Sequence, residues 1–182
     1  MKPIIITYKQ EYSFRERMLL FLLGKVIPIH ARFYGKRQPW GLTREDLIRY
    51  PAGSLGHELG QFLSSEGLQP VPRVERHDAF HILLDYTTRI SDEAAMQFFL
   101  VGNGKRSPFT LGTMVFAAFV LPELWELFRR EFRRGRQARS IARWNFYELL
   151  HENFSDLKKI IFNQPVENPA LLRRVMEMEN RK

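Results

Sequence analysis

Apolar residues recur along this chain at the three- and four-residue spacing of α-helices, and no two segments alternate as paired strands would. The longest apolar stretch, residues 14–33, carries a broad stripe that one face of a helix would bury. The stripe consists of Met18, Leu19, Phe21, Leu22, Val26 and Ile29. The pattern therefore predicts an all-α protein.

Helix-capping residues place the boundaries of the next elements. Thr43, followed by acidic residues in the next turn, is a favourable start for a short helix that ends near Tyr50. A second helix begins at Ser54 and stops at Gly67, because glycine readily takes the left-handed conformation that ends many helices. The proline-containing residues 69–72 are expected to be extended.

The rest of the chain divides into helices separated by breaks. One helix follows residues 69–72, and the next, capped by Ser91, runs to about Val101, before the glycine-containing break at 102–104. Downstream the pattern predicts a long helix over 109–134 kinked at Pro122, and helices over 138–152, over 155–162 and from Asn168–Pro169 onward. We therefore predict one domain over residues 1–182. It would be a helical bundle-like fold of about seven to eight helices with frayed ends at 1–12 and 177–182.

Composition fits such a fold and limits its chemistry. The 182 residues, 45% of them hydrophobic, suit one domain with a substantial core. Because the chain has no cysteine, it can form neither disulfides nor thiolate zinc sites. Any bound metal would therefore need histidine and carboxylate ligands.

Two histidines and an acid, His77, His81 and Glu93, are the most informative residues. Imidazoles four residues apart lie on one face of a helix, and Asp78 can lean toward that face. Glu93 would lie in the first turn of the helix capped by Ser91, folded back beside the first helix. These four side chains suit a first-row divalent metal, with zinc as the default. Two histidines at the edge of the core with a surface Asp and Glu would show the same spacing.

The run H-D-x-x-H, eleven spacer residues and then E resembles the signature of the Coq-four family of coenzyme Q (ubiquinone) biosynthesis proteins. Softer similarities lie at residues 50–56, at 82–88 and in the aromatic segment 144–148. The likeness covers roughly residues 40–160 and is specific only at the metal motif. Asp85 stands where the family usually has glycine, which adds a carboxylate near the proposed metal.

The resemblance implies a metalloprotein of ubiquinone biosynthesis that acts at C1 of a prenylated hydroxybenzoate headgroup, by decarboxylation. A metal held by His77, Asp78, His81 and Glu93 with one position open would bind the substrate's carboxylate or phenolic oxygen. It would also stabilise charge that develops on the ring. Asp85 is a weaker catalytic candidate, as a proton donor if it is buried, and the family offers no support for that role.

Residues 111–121 are almost wholly apolar, but they are shorter than the roughly 20 uncharged residues that span a bilayer. A buried core helix is one interpretation. The other is a slot for an apolar ligand, with Met114, Phe116 and Phe119 as its walls and small residues that let a chain approach. The small residues are Gly112, Ala117 and Ala118. The resemblance favours the slot, and with it a prenylated quinone precursor or another isoprenoid lipid as partner.

The net charge of +8 comes largely from one run of arginines. They are Arg129, Arg130, Arg133, Arg134, Arg136, Arg139 and Arg143. No nucleic-acid-binding module or set of interleaved aromatics accompanies them, so we expect no nucleic-acid partner. An anionic membrane surface explains more than an ordinary solvated basic face, because it would also hold the prenylated ligand. The neighbouring Leu124, Trp125, Leu127 and Phe128 could then insert shallowly.

The expected location is the cytoplasm, peripheral to the inner face of the membrane. The first residues lack the ordered zones of a signal peptide and the Arg- and Ser-rich character of a mitochondrial leader. Since the eukaryotic members of the resembled family are mitochondrial, a chain without a leader is more typical of a bacterial one. Other quinone-biosynthesis proteins, or a second copy of the chain, remain open as partners.

Two alternative functions use the same residues. An HD-type phosphohydrolase would centre its metal on His77–Asp78, with His57 and Asp156 as further ligands and the arginines for a nucleotide phosphate. A non-enzymatic protein that holds a lipid and organises partner enzymes would need the same site. Two other motifs fail: residues 57–61 lack the second histidine of a zinc-protease helix, and 102–107 lack phosphate-loop spacing.

Overall fold

The computed structural model describes residues 38–180, so the predicted helix at 14–33 and the predicted frayed end at 1–12 lie outside the described residues. Within 38–180 the chain forms eight α-helices and no strand, which confirms the all-α prediction. The helices are α1 (Arg44–Ile48), α2 (Leu55–Ser65), α3 (Glu75–Leu84), α4 (Ile90–Gly102), α5 (Pro108–Val120), α6 (Trp125–Gln137), α7 (Phe154–Ile161) and α8 (Pro169–Asn180). The extent of one domain over 1–182 stays a prediction.

The first two described helices begin where their capping residues predict. The Thr43 hydroxyl accepts a hydrogen bond from the Asp46 backbone N–H, and the Asp46 carboxylate accepts one from the Thr43 N–H. At the start of α2 the Ser54 hydroxyl accepts a hydrogen bond from the His57 backbone N–H, and Gly67 beyond the end of this helix has a φ of +67°. These capping bonds satisfy backbone donors that would otherwise lack partners at each helix start.

Helix α4 is the centre of the fold. Its residues 94–100 are all buried, so it is covered on every side, and it packs against α5 and α6. Two glycines let α4 and α6 approach closely. A Cβ at Gly102 would lie 2.2 Å from the carbonyl oxygen of Phe132, and one at Gly135 would lie 2.1 Å from that of Phe99. The crossing therefore excludes any side chain at either position.

The prediction of one kinked helix over 109–134 was wrong. Two helices, α5 and α6, are joined by a 3-10 turn at Pro122–Leu124, and the chain bends by 105° there. Pro122 has no N–H to donate, and Leu121 before it has left the helical region at φ −122° and ψ 60°. None of the described helices is by itself long and apolar enough to cross a bilayer; only α5 and α6 together, across this bend, have the length and composition.

The helix predicted over 138–152 is absent, because long-range bonds compete with the helical ladder. The segment forms successive turns, and its carbonyls at Leu150 and Glu152 accept hydrogen bonds from Gly56 and Leu55 at the start of α2. At the carboxyl end the structure contains more helix than the sequence predicted. Residues 177–180, predicted to fray, belong to α8, where Met178 is buried.

Ser91 is not the N-cap of its helix. Helix α4 begins one residue earlier, at Ile90, and the residue in the cap position, Arg89, makes no capping side-chain bond. The loop before it is held instead by the Asp92 carboxylate, which accepts hydrogen bonds from the backbone N–H and the hydroxyl of Thr87. The predicted position of Glu93 in the first turn is confirmed.

Candidate metal centre

Helix α3 holds His77 and His81 one turn apart, as their spacing predicts. Their Nε2 atoms are 3.2 Å apart, and the rings meet edge to face with centroids separated by 4.8 Å. His81 is 3% exposed, whereas His77 keeps about a third of its side chain in contact with solvent. One histidine of the pair is therefore buried, and the other is accessible to solvent.

Glu93 reaches both histidines from α4. Its Oε1 lies 3.0 Å from Nε2 of His81, and its Oε2 lies 3.3 Å from Nε2 of His77. The turn between α3 and α4 folds the second helix back so that its first turn faces the last two turns of the first. Three side chains from two helices thus converge on one small volume.

The separations match the edges of a metal coordination sphere. Nitrogen and oxygen ligands lie about 2.0–2.1 Å from zinc, so two ligands in a tetrahedral arrangement are about 3.3–3.4 Å apart. One ligand atom from each of His77, His81 and Glu93 falls within 4.8 Å of the other two. These residues could therefore hold a metal ion with at least one position left for water or a substrate.

The ring of His81 is fixed from two sides. Its Nδ1 lies 3.2 Å from the carbonyl oxygen of Tyr86, which can only accept a hydrogen bond, so Nδ1 carries the proton. The ring of Phe62 on α2 stacks on the imidazole with centroids 5.7 Å apart. Nε2 is therefore the nitrogen directed at the site, where it donates to Glu93 while it is protonated and would be a metal ligand once that proton is lost.

Tyr86 and Phe62 had not been singled out from the sequence. The Tyr86 contact uses a backbone carbonyl, which any residue would supply, and the Phe62 contact depends on how α2 packs on α3. The Tyr86 side chain is anchored separately, since its hydroxyl donates to Glu131 Oε2 at 2.7 Å. No local pattern in the sequence predicts either contact.

The electrostatics of the site favour a charged carboxylate between the histidines. Burial by itself would raise the pKa of Glu93, but hydrogen bonds from His77 and His81 outweigh it and bring the pKa down to about 2. Burial opposes the charged form of His81, yet the contact with Glu93 raises its pKa above the ordinary value. A metal ion would therefore compete with a proton on His81, so metal affinity should fall as the pH falls.

Asp78, predicted as a fourth ligand, is not part of the converging group. Its side chain is partly buried near the site, and that burial raises the pKa of its carboxyl to about 6, against the opposing effect of the two histidines. An Asp that follows a ligating histidine lies about 100° further round the helix. The structure therefore assigns the site three convergent side chains and places Asp78 beside them.

Asp85 does not meet the condition of burial that its predicted role required. Its side chain is 60% exposed and forms an ion pair with Lys158 on α7. Asp85 is the C-terminal cap of α3 and adopts a left-handed backbone conformation, at φ 62°. Glycine takes that conformation without strain, so the position favours glycine more than it favours an aspartate.

The two extra ligands of the alternative phosphohydrolase lie elsewhere. His57 on α2 places its Nδ1 2.9 Å from the carbonyl oxygen of Ile48, and Asp156 pairs with Lys159 one turn along α7. Neither belongs to the group of His77, His81 and Glu93. The described residues thus do not assemble the HD-type ligand set.

The predicted slot residues on α5 do not share one environment. Met114 and Phe116 are partly buried against the core, whereas Phe119 is 81% exposed. Leu111 and Val115 are also exposed, and with Phe119 they follow the four-residue spacing of one helix face. The sequence predicts that these three residues share a helix face, but it does not predict that this face is exposed to solvent.

The arginine run also divides. Arg129, Arg130, Arg133 and Arg136 have exposed side chains. Arg134 turns inward, where it donates to Glu131 and to the carbonyl of Leu84, with its guanidinium 4.7 Å from the ring centroid of Phe162. We therefore leave Arg134 out of any basic surface. Further on, Arg139 pairs with Glu179 on α8, and Arg143 donates to the backbone carbonyl of the same residue.

Comparison with known proteins supports the fold. No protein-family model matches the chain, and no curated protein matches its sequence. A crystal structure from Nostoc punctiforme PCC 73102, of a protein provisionally named for ubiquinone biosynthesis, is similar with a TM-score of 0.54. The match covers 82% of this chain and 81% of that one at 19% sequence identity. At that identity the two chains share a fold.

Proposed function

We propose that this chain is a metal-dependent protein of ubiquinone biosynthesis that acts at C1 of a prenylated hydroxybenzoate headgroup, by decarboxylation. The observation that carries the proposal is the convergence of His77, His81 and Glu93 within hydrogen-bonding distance of one another. The fold shared with the Nostoc protein and the resemblance of the motif to the Coq-four signature point to the same pathway.

One side of the proposed site is buried and would hold the metal in place, and the other side is open to a substrate. His81, oriented by Tyr86 and covered by Phe62, forms the rigid and dry side of the site. His77 and Glu93 form its accessible edge, where a substrate carboxylate or phenolic oxygen would approach. A bound divalent ion, with zinc as the default, would supply Lewis acidity toward that oxygen. The negative charge of Glu93 lowers the net positive charge at the centre and so moderates the attraction for anions.

The two alternatives fare differently. The phosphohydrolase is disfavoured, because His57 and Asp156 lie outside the group that could bind metal. The lipid-holding scaffold would use the same residues, so it is separated from an enzyme only by turnover. Bound quinone-like lipid with no conversion of a prenylated hydroxybenzoate would select the scaffold.

The test of the proposed function measures metal and lipid together. Protein expressed with added zinc should contain about one divalent ion per chain, and His77→Ala/His81→Ala should contain almost none. Native mass spectrometry should find a prenylated aromatic lipid on the wild type. A wild-type protein that contains no metal after expression with added zinc would contradict the proposal, whether or not it carries lipid.

We also propose that the corner between α5 and α6 lies against an anionic membrane. We call this surface the membrane corner and define it by its exposed apolar residues Val115, Phe119 and Trp125 and by the exposed arginines Arg129, Arg130, Arg133 and Arg136. Of the residues first expected to insert, only Trp125 is exposed, since Phe128 is fully buried. Exposed Glu123 and Glu126 lie at the same corner, and Glu126 pairs with Arg129, but the four arginines outnumber these two acids. An apolar edge beside a surface of net positive charge is the pattern of a region that inserts shallowly among acidic headgroups.

Co-sedimentation with vesicles tests the membrane corner. Wild-type protein should bind vesicles that contain acidic lipid, bind neutral ones less, and release as salt rises. Phe119→Ala/Trp125→Ala should lower binding several-fold, whereas Tyr147→Ala, which removes a half-exposed aromatic from another region, should not. Equal binding by both variants would show that the corner does not insert.

A further inference from the structure

The loop that follows α3 holds His81 through both backbone groups of one residue. The backbone N–H of Tyr86 donates to the carbonyl oxygen of His81 at 2.9 Å, and the carbonyl oxygen of Tyr86 accepts from the His81 imidazole at 3.2 Å. Between the helix and Tyr86, Asp85 takes the left-handed conformation, which is unfavourable for a residue with a side chain. The loop therefore keeps this shape only because other contacts hold it.

Helix α6 supplies such contacts on both sides of Asp85. Oε2 of Glu131 accepts a hydrogen bond from the hydroxyl of Tyr86 at 2.7 Å, and Nη2 of Arg134 donates to the carbonyl oxygen of Leu84 at 3.1 Å. The same carboxylate oxygen accepts from Nη1 of Arg134 at 3.1 Å, which joins the two anchors to each other. Helix α6 thus holds the residue before the left-handed position and the residue after it.

The anchor between Glu131 and Tyr86 is buried, so water does not compete for its hydrogen bond. The second oxygen of Glu131 accepts from Nε of Arg130, an exposed residue one position earlier on α6. The other side-chain contact of the loop is the ion pair of Asp85 with Lys158, and Asp85 is largely exposed. Because exposed ion pairs fix geometry weakly, the anchors on α6 are the ones that set the shape of the loop.

Stability alone does not account for a charged pair at this place. The removal of two charges from water costs about as much free energy as their attraction gains, so a buried ion pair is seldom a net source of stability. Its geometry is more specific, since a carboxylate that accepts from a hydroxyl and from a guanidinium fixes the positions of both donors. Here both donors contact the loop that orients His81.

We propose that Glu131 and Arg134 are positioning residues for the metal centre: they hold the loop after α3 so that it keeps the imidazole of His81 directed at the site. The inference rests on the proposed function for the role of the metal, whereas the orientation of His81 is a property of the metal-free protein as well. A ligand that is fixed in advance loses less conformational freedom when it binds, so its affinity for the ion is higher. Both residues act on the ion only through His81.

Substitutions along this series of hydrogen bonds test the proposal. Glu131→Ala removes the acceptor, Glu131→Gln keeps an oxygen that can accept from the Tyr86 hydroxyl, and Tyr86→Phe removes that hydroxyl but keeps the ring and the backbone carbonyl. The matched control is Glu179→Ala on α8. This carboxylate likewise accepts from an aromatic residue and an arginine, Trp144 and Arg139, each at 3.2 Å, but these lie in the segment 138–152 and not in the loop after α3.

Zinc affinity, measured in the full chain by competition with a chelator, gives the first readout. We expect it to fall about three- to tenfold in Glu131→Ala and in Tyr86→Phe. Loss of a group bonded directly to a metal-binding histidine commonly weakens binding about 10- to 100-fold, and these side chains act one bond further away. Glu131→Gln should remain closer to the wild type, and Glu179→Ala should bind zinc like the wild type.

Nitrogen-15 NMR of the metal-free protein gives a readout that a purely structural role would not change. In the wild type the Nδ1–H of His81 should be protected from exchange with solvent, because it is bonded to the Tyr86 carbonyl. Its signal is identified by its absence in His81→Ala. Exchange should be faster in Glu131→Ala and in Tyr86→Phe, and it should be unchanged in Glu179→Ala.

Melting curves establish that each variant is folded, and if Glu131→Ala does not fold, Tyr86→Phe replaces it, since it removes a single oxygen. Zinc affinity and Nδ1–H exchange that equal those of the wild type in Tyr86→Phe would overturn the proposal. Equal losses in Glu179→Ala would overturn it too. A wild type that binds no zinc contradicts the proposed function instead, and the exchange of the His81 Nδ1–H still decides whether α6 positions that ring.

Discussion

The sequence pattern predicted the positions of side chains at the candidate metal centre but not on helix α6. At the candidate metal centre, residues four apart on α3 and one acid on α4 meet where the spacing predicts. On α6, arginines with equally regular spacing separate: Arg133 is exposed, whereas the next residue, Arg134, packs inside. Local spacing fixes which side chains share a helix face, but the neighbours of that face decide what it does.

The difference lies in what each face meets. The histidines need only each other and the next helix in the chain, joined by a short turn. The inward face of α6 meets α4 at the close contact of Gly135, which brings Arg134 against the buried aromatic residues Tyr86 and Phe99. A run of arginines thus serves packing and surface charge at once.

The largest expected effect is on the contact between α4 and α6. Gly135→Ala should lower the free energy of unfolding by about 2–3 kcal/mol, because its Cβ would lie 2.1 Å from the Phe99 carbonyl oxygen and the helices must separate. Gly112→Ala on α5 is the control, since its Cβ would meet nothing within 4 Å. That change should raise stability by about 0.5–1 kcal/mol through helix propensity. Urea unfolding measures both, and equal effects would refute the close contact.

Substitution of two neighbouring arginines tests which side chains of α6 face inward and which face solvent. Arg134→Ala should cost about 2 kcal/mol, because it leaves the buried carboxylate of Glu131 with one fewer charged partner and removes a guanidinium packed on three rings. Arg133→Ala should stay within about 0.5 kcal/mol. Chemical denaturation of the pair compares them directly. A larger loss at Arg133 would reverse the assignment of inward and outward side chains.

A smaller effect should depend on pH in the metal-free protein. The Glu93 pKa, lowered to about 2 from 4.5, contributes stability above 4.5 that is lost as the pH falls toward 2. The raised pKa of His81 contributes stability below its ordinary value of 6.5 that is lost as the pH rises through the folded value. The pair is therefore strongest between about pH 4.5 and 6.5.

Glu93→Gln should accordingly destabilise the metal-free protein by about 1 kcal/mol more near pH 5.5 than near pH 8.5. Thermal unfolding in the presence of a chelator measures the difference at the two pH values. A pH-independent cost would mean that the contact of Glu93 with the histidines is not ionic.

The sequence predicted the features that depend on near neighbours and missed those that depend on distant ones. The cap at Thr43 and the alignment of His77 with His81 follow from residues within one turn. The segment 138–152 has helical composition, but two of its carbonyls accept hydrogen bonds from the start of α2, which lies far away in the chain. Ser91 has capping chemistry, yet the interaction of Asp92 with Thr87 sets the loop and starts the helix earlier.

The site follows the same rule. Three of the four predicted ligands converge, because a helix and one tight turn determine their positions. Asp85 was singled out for its carboxylate. Its left-handed conformation at the end of α3 and its exposure depend on the folded structure and cannot be predicted from residue spacing.

Metal content of two single variants tests the central claim most directly. Glu93→Ala should weaken metal binding on the order of tenfold or more, since even the loss of a residue that only hydrogen-bonds to a metal ligand commonly has that effect. His57→Ala, which changes a histidine on the neighbouring helix outside the group, should bind metal like the wild type. Elemental analysis with competition by a chelator gives both values side by side. Metal lost from His57→Ala and retained by Glu93→Ala would contradict the account and return the chain to the phosphohydrolase class.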